Sequence, residues 1–256
     1  MKPIERAARL FADINELLIS SGANTRRVER NVERISNALN YYCENFYSHA
    51  AIVLTVQDKA TGEKETIVRI IPHHGVNFSA ISDISILSWE ATEKKLPIEE
   101  IEEQVATIKA KPHYNMYVMW FFVSVAGGSL AYVFGKEQAS YTEFAMSFIA
   151  TLLGLAGRRI LQLRKFNVYI CWGWAAFVSV AVMSIFRLAG IEQYHNALAA
   201  CVLWLVPGVP LINGFIDMLS GCIVAGIAKL THAAILVFMI SLGFYLALLL
   251  FGYELP

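Results

Sequence analysis

Trp204-Leu-Val-Pro207-Gly208-Val-Pro210-Leu-Ile-Asn213-Gly-Phe-Ile-Asp217-Met-Leu-Ser220-Gly221 is the stretch on which the reading of the chain turns. It sets two prolines, an amide and a carboxylate inside a long apolar region with almost no other charge. Proline lacks a backbone donor and clashes with the preceding turn, so no unbroken helix passes through Pro207–Pro210. In hydrocarbon, a broken helix is tolerated only where its freed backbone groups are buried in protein or line a wet cavity. An ionisable side chain at membrane depth is costly and generally functional. A polar path through a membrane protein is the first expectation.

Composition supports a membrane protein with a polar front. The 256 residues are 56% apolar with no formal net charge, and the mean hydropathy is +0.49. Residues 1–111 carry 14 Lys+Arg and 16 Asp+Glu, whereas residues 112–256 carry 7 and 5. The expected organisation is a small α+β domain over residues 1–111 followed by a transmembrane domain over 112–256. No basic cluster points to nucleic acid. Cys43, Cys171, Cys201 and Cys222 lie far apart with no metal or disulfide spacing, and read as small buried hydrophobes. The N-terminus leads into an amphipathic segment rather than an apolar h-region, so no cleaved signal peptide is expected.

In the front, Ile4, Ala7, Phe11, Ile14 and Leu18 mark one face of a helix. Ser20-Ser21-Gly22 ends it, glycine being suited to the left-handed C′ position. Asn24 or Thr25 caps a second helix whose face is Val28, Val32, Ile35 and Leu39. The β-branched runs Ala51–Val56 and Thr66–Ile71 flank a turn-rich segment and predict a β-hairpin. Ser79–Lys95 and Ile98–Lys109 are helical again, with Pro97 at a helix start.

Beyond Pro112 the predicted spans are Tyr117–Phe134, Tyr141–Gly157, Val168–Leu188, a compound stretch from Ala197 to Ala228 holding the proline break, and Thr231–Phe251. About five crossings follow, the fourth broken or continued by a short helix near the surface. Arg158, Arg159, Arg164 and Lys165 are the densest basic cluster of this half, and positive residues in short loops stay cytoplasmic. The front domain is therefore expected in the cytoplasm and the C-terminus, Gly252–Pro256, outside. Transporters are often built from two related halves. No second half or internal repeat is visible, so a second copy or a different chain is expected to complete the assembly.

Two long motifs carry a family resemblance. Leu17-Leu-Ile-Ser-Ser-Gly22-Ala23-Asn-Thr25-Arg26-Arg27-Val28-Glu29 resembles the signature of the N-terminal domain of the threonine/serine exporter family. Val206–Gly221 is similar to that family's second signature, and the two occur in the expected order. The resemblance implies a multi-pass protein of the plasma (inner) membrane that exports small polar metabolites. It also implies a split form, in which a short companion multi-span protein supplies the second set of spans. Threonine or serine is the first substrate it suggests and a dicarboxylate such as succinate the second. No nucleotide-binding motif is present, so the drive is expected from the proton or substrate gradient. No cofactor is expected.

The expected transport-path residues are Pro207, Gly208, Pro210, Asn213, Asp217 and Ser220. Asn213 and Asp217, four apart, share a helix face, and Ser220 falls three further along. Such a stripe suits an ammonium group or a proton; the alternative is a membrane-surface helix with Asp217 in water. The Pro-Gly-x-Pro break likewise reads either as a substrate-facing discontinuity or as a tight cytoplasmic turn. Gly22, Thr25, Arg26 and Glu29 lack the features of a phosphate loop, and a structural or gating role is expected for them. His73-His74 has no third ligand at a telling spacing. Trp120, Trp172, Trp174 and Trp204 fit interfacial belts, and Gly127-Gly128 and Gly154-x-x-Gly157 allow close helix packing. Two rivals remain: a membrane-anchored sensor or enzyme acting through its front domain, and a homo-oligomeric channel. The first is disfavoured by the absence of a catalytic constellation.

Overall fold

The stripe Ile4, Ala7, Phe11, Ile14 and Leu18 is the buried face of α1 (Pro3–Ser20), each residue no more than 2% exposed. The computed structural model describes residues 2–48, 51–71, 75–111, 114–135, 140–191 and 195–251. The chain divides into two compact units, Met1–Pro112 with Gly208–His232, and His113–Pro207 with Ala233–Pro256. The polar front expected over 1–111 thus takes in a further segment drawn from the apolar half.

In the first unit, α1 is followed by α2 (Thr25–Ala38), which buries Val28, Val32 and Ile35 as its spacing predicts. Three strands follow, β1 (Tyr41–Tyr47), β2 (Ala51–Asp58) and β3 (Lys64–Ile70), as an antiparallel meander in the order β1-β2-β3. The hairpin of β2 and β3 matches the β-branched runs. Strand β1 was not expected, because Tyr41-Tyr-Cys-Glu-Asn-Phe-Tyr47 mixes aromatics with polar residues. Its alternation is nevertheless regular, with Tyr42, Glu44 and Phe46 outward, and pairing runs from Tyr41 opposite Asp58 to Tyr47 opposite Ile52. Helix α1 packs on the sheet over Ile52, Leu54 and Val56. Asn15, fully buried in α1, accepts from the Tyr47 hydroxyl (2.9 Å) and donates to the Phe11 carbonyl (2.9 Å), so its burial is compensated.

Helices α3 (Phe78–Lys94) and α4 (Ile98–Ala110) complete the front. Asn77 caps α3 through the Ala80 N–H. Ser88 donates to Asn31 (3.0 Å), and the Arg34 guanidinium sits 3.9 Å over the Trp89 ring, so α3 is tied to α2 by polar as well as apolar contacts.

The second unit holds α5 (Met116–Phe134), α6 (Tyr141–Leu163), α7 (Val168–Leu188), α8 (His195–Ala200) and a 3₁₀ turn, Leu203–Leu205. The first unit resumes with α9 (Gly208–Leu219), and α10 (Ile223–Leu250) closes the described chain. Four helices, α5, α6, α7 and α10, are long and apolar enough to cross a membrane. A fifth crossing arises if His195–Leu205 and Gly208–Leu219 count as one bent span. The last helix begins at Ile223 rather than at Thr231 as expected. Its 28 residues extend about 42 Å at 1.5 Å each, longer than the roughly 30 Å hydrocarbon core.

Glycine packing in the second unit follows the expectation. A Cβ on Gly128 would lie 2.8 Å from the Phe144 carbonyl, and one on Gly157 3.2 Å from Val178. Trp174 stacks on Phe177, and Arg158 lies 4.4 Å over the Trp172 ring. Trp172 and Trp204 both pack, half-buried, against a cluster of Ala175, Ala176, Leu205 and Ile240. All four cysteines are free, Cys171 and Cys201 buried and the other two half-buried.

Candidate functional site

Two helix endings and one helix start build the site, all within the first unit. Helix α1 stops in a Schellman turn: Ala23 N–H donates to the Leu18 carbonyl (3.0 Å), Gly22 N–H donates to that of Ile19 (3.0 Å), and Gly22 takes φ +86°. The chain then enters α2, with the Asn24 side chain accepting from the Arg27 N–H (2.8 Å). That resolves the two expected caps in favour of Asn24, and leaves Thr25 as the first helical residue, its N–H among the orphan donors of the helix start.

Asp217 supplies the missing acceptor. Its Oδ1 accepts the Thr25 backbone N–H at 2.8 Å, and its Oδ2 accepts the Thr25 hydroxyl at 2.8 Å. The Lys229 ammonium donates to the same Oδ2 at 2.6 Å. One turn earlier on α9, Asn213 Nδ2 donates to the Gly22 carbonyl at 2.7 Å. Lys229 also reaches the Thr25 hydroxyl (3.4 Å) and the Ala23 carbonyl (3.5 Å). The two signature segments, 192 residues apart at Thr25 and Asp217, therefore close on each other.

The solvated-Asp217 alternative does not describe this arrangement: the Asp217 side chain has no exposed surface, and that of Lys229 keeps 17%. A carboxylate at a helix N-terminus is favoured by the partial positive charge there. A buried charge persists only when paired and hydrogen-bonded, and three donors meet that condition. The cluster is a carboxylate latch joining the α1–α2 corner to the hairpin of α9 and α10.

The hairpin is shaped to present it. Helix α9 also ends in a Schellman turn, Cys222 N–H to the Asp217 carbonyl (2.9 Å) and Gly221 N–H to that of Met218 (3.1 Å). A Cβ on Gly226 would lie 2.5 Å from Met218 Cγ and 2.8 Å from the Gly214 carbonyl, so the helices touch backbone to backbone. That contact brings Lys229, six residues into α10 beyond Ile223, within reach of Asp217.

The other expected residues take different places. Pro207 is buried just before α9, and Gly208 and Pro210 lie in its first turn, where proline is tolerated. Ser220 follows the last helical residue, Leu219, and is half-buried, its N–H donating to the Ile216 carbonyl (2.9 Å). Arg26 is exposed, Glu29 is half-buried, and the two do not close to an ion pair. Desolvation, and then the Asp217 charge, raise the Glu29 carboxyl above its ordinary range. His73 and His74 lie outside the described residues, and among the described residues no group of three His, Cys, Asp or Glu is arranged to hold a metal.

Lys229 is not one of the transport-path residues expected above; it is the nearby cation available to pair with Asp217 in a structural role, and the two do pair. A signal for it exists: across residues 195–251 the chain holds one Asp/Glu, Asp217, and one Lys/Arg, Lys229. In an apolar stretch, such a pair is expected to meet.

Comparison with known proteins agrees with both signatures. The family model described as "Putative threonine/serine exporter" (ThrE) matches residues 9–251. The chain is 29% identical over 239 residues to a protein of Klebsiella aerogenes named "Probable succinate transporter subunit YjjP", covering 92% of this chain and 90% of the relative. The protein of the same name in Escherichia coli is 26% identical over 250 residues, covering 95% and 94%. "Pheromone-regulated membrane protein 10" of Pichia sorbitophila is 23% identical over 268 residues, covering 96% of this chain and 25% of the yeast protein. No solved structure matches. With the family model spanning nearly its whole length, this chain belongs to the threonine/serine exporter family of membrane transporters.

Proposed function

We propose that the chain is one subunit of a secondary transporter that carries small, carboxylate-bearing metabolites out of the cytoplasm. The family match over residues 9–251 carries this reading. The family description points to threonine and serine, whereas the names of the two bacterial relatives point to succinate; all of these solutes carry a carboxylate. The word "subunit" in those names supports a companion membrane protein. The basic cluster Arg158–Lys165 at the end of α6 supports a cytoplasmic front domain and an external C-terminus.

Within this reading the latch is a positioning device. Lys229 already neutralises Asp217, and the pair fixes α9, with its Pro207–Pro210 entry, against the α1–α2 corner. Asn213 and Asp217 thus act on the transport path by holding its cytoplasmic element, with Gly22 and Thr25 as their counterparts.

Counterflow in proteoliposomes tests the function. Vesicles with the full chain and its companion, preloaded with unlabelled succinate or threonine, should accumulate the matching labelled solute above empty-vesicle levels. Equal uptake by empty vesicles for both solutes overturns the reading. Full activity without the companion removes the subunit claim alone.

A further inference from the structure

We propose that Ser124, Thr151 and Trp204 form a carboxylate-binding site in the second unit, seen here in its closed form. This rests on the transporter reading only in identifying the ligand with the transported solute.

Among the described residues, four buried side-chain polar atoms have no hydrogen-bond partner: Arg69 Nε, Ser124 Oγ, Thr151 Oγ1 and Trp204 Nε1. Arg69 Nε has Glu16 at 3.6 Å, which leaves three, all in the second unit. Ser124 and Thr151 have no exposed surface. Neighbouring hydroxyls of the same unit are bonded: Ser147 to the Gly127 carbonyl (3.0 Å), Ser179 to that of Ala150 (3.2 Å) and Ser184 to that of Val180 (2.9 Å). A helical Ser or Thr can turn back to the carbonyl one turn earlier, and Ser124 and Thr151 do not. Buried polar atoms are generally satisfied, and those that are not point to a missing water, ion or ligand.

The residues that bear these three atoms stand on elements that pack together, α5 on α6 and the 3₁₀ turn on α5. Ser124 stands one turn before Gly127 on α5, and a Cβ on Gly127 would lie 2.5 Å from Thr151 Oγ1. Thr151 stands one turn before Gly154 on α6. A Cβ on Gly154 would run into Ser179 Oγ and come within 3.2 Å of the Trp204 ring at Cζ2. Two glycines thus line up two hydroxyls and an indole between α5, α6 and the 3₁₀ turn. The contacts are too close for a solute in this form. Small residues on both sides allow the helices to part without leaving large side chains in the gap.

The donor set selects the ligand chemistry. An indole N–H only donates, and two hydroxyls can donate with it, so three donors await an acceptor-rich group. A carboxylate oxygen fits such a neutral, desolvated donor cluster, as an oxyanion fits its hole. The carboxylate is that of an amino acid or of a dicarboxylate, and the test separates them.

The full-length protein, labelled with ¹⁵N-tryptophan in micelles, is titrated with threonine, succinate and, as a control without a carboxylate, threonine amide; Trp204→Phe assigns the indole resonance. We expect saturable movement of the Trp204 N–H with threonine or succinate, the one that acts naming the source, and none with threonine amide. Thr151→Val and Ser124→Ala should raise half-saturation about tenfold while leaving the melting temperature within ~2 °C, since these hydroxyls hold nothing in the fold. Thr151→Ser should restore binding. An unmoved indole with both carboxylates overturns the site, as does equal movement with threonine amide or parental half-saturation in both hydroxyl variants. Export of either solute from the native host with an unmoved indole removes this site and keeps the transporter reading. A moving indole in a chain that exports neither solute keeps the site and removes that reading.

Discussion

Replacing Asp217 by asparagine removes one charge and reverses one hydrogen-bonding direction. An amide oxygen can still accept the Thr25 N–H, but the amide N–H₂ then faces two donors, the Thr25 hydroxyl and the Lys229 ammonium, where Oδ2 now accepts both. Breaking a buried ion pair by removing one partner costs about 3–5 kcal/mol. The lower end applies here, because Lys229 keeps 17% of its side chain exposed and regains some hydration. A cost of about 3 kcal/mol corresponds to a roughly 150-fold larger opening equilibrium. Hydrogen exchange by mass spectrometry on the full chain in detergent reads it directly, through the amides of Thr25–Val28 at the start of α2, which open locally when the latch releases. Lys229→Met should be worse, leaving a carboxylate with no exposed surface unpaired. Asp217→Asn combined with Lys229→Met should recover a large part of the loss, because the coupled groups are removed together. Exchange at the α2 start that changes less than about threefold in either single variant refutes the claim that this pair holds the corner.

Three other outcomes are expected. Gly22→Ala forces alanine to φ +86° and sets its Cβ 3.0 Å from the Gly75 carbonyl, whereas Gly62→Ala at φ +74° meets nothing within 4 Å; melting curves should show Gly62→Ala losing about 1 kcal/mol and Gly22→Ala clearly more. The Glu29 carboxyl is raised by desolvation and by Asp217, so its native state binds the extra proton. Its contribution is present below the unfolded value of 4.5 and lost as pH rises through the raised one. Glu29→Gln should therefore melt no lower than the parent at pH 7 and show a flatter fall from acid to neutral pH, and a lower melting temperature at pH 7 would contradict this. Burial pushes the Cys43 thiol up to about 12, so iodoacetamide at pH 8 should label it far more slowly in the folded chain than after denaturation, as peptide mass spectrometry will report.

Much of the architecture was legible because burial follows periodicity. Ile4, Phe11 and Leu18 repeat at helical spacing, the runs around Ile52 and Ile67 are β-branched, and Tyr117–Phe134 and Val168–Leu188 fall within a residue of the observed helices. Strand β1 escaped because one side of Tyr41–Tyr47 meets α1 and α2 while the other is exposed, so aromatic and polar residues alternate without a β-branched run. The start of α10 lies earlier than expected, on the far side of Lys229. The Lys229 charge is cancelled by Asp217, and the helix continues through it. The stripe Asn213–Asp217 was readable from spacing, and Lys229 from being the nearby cation in an apolar stretch, but the partners in the α1–α2 corner were not. No local pattern says that an α9 carboxylate will take the free N–H of Thr25, since that depends on where tertiary packing sets the α1–α2 corner.

The first unit is discontinuous in sequence, and that has a consequence during synthesis. The corner at Thr25 leaves the ribosome 192 residues before Asp217, a delay of roughly 10–40 s at 5–20 residues per second. Through that interval the α2 start lacks the acceptor for its first N–H, and the core around Ile14 and Val28 lacks Ala225, which packs into it from α10. The nascent front is a docking platform waiting for its last piece, while the intervening helices enter the bilayer. Arrival of the α9–α10 hairpin then reports, at the front domain, that the membrane segments ahead of it have been made.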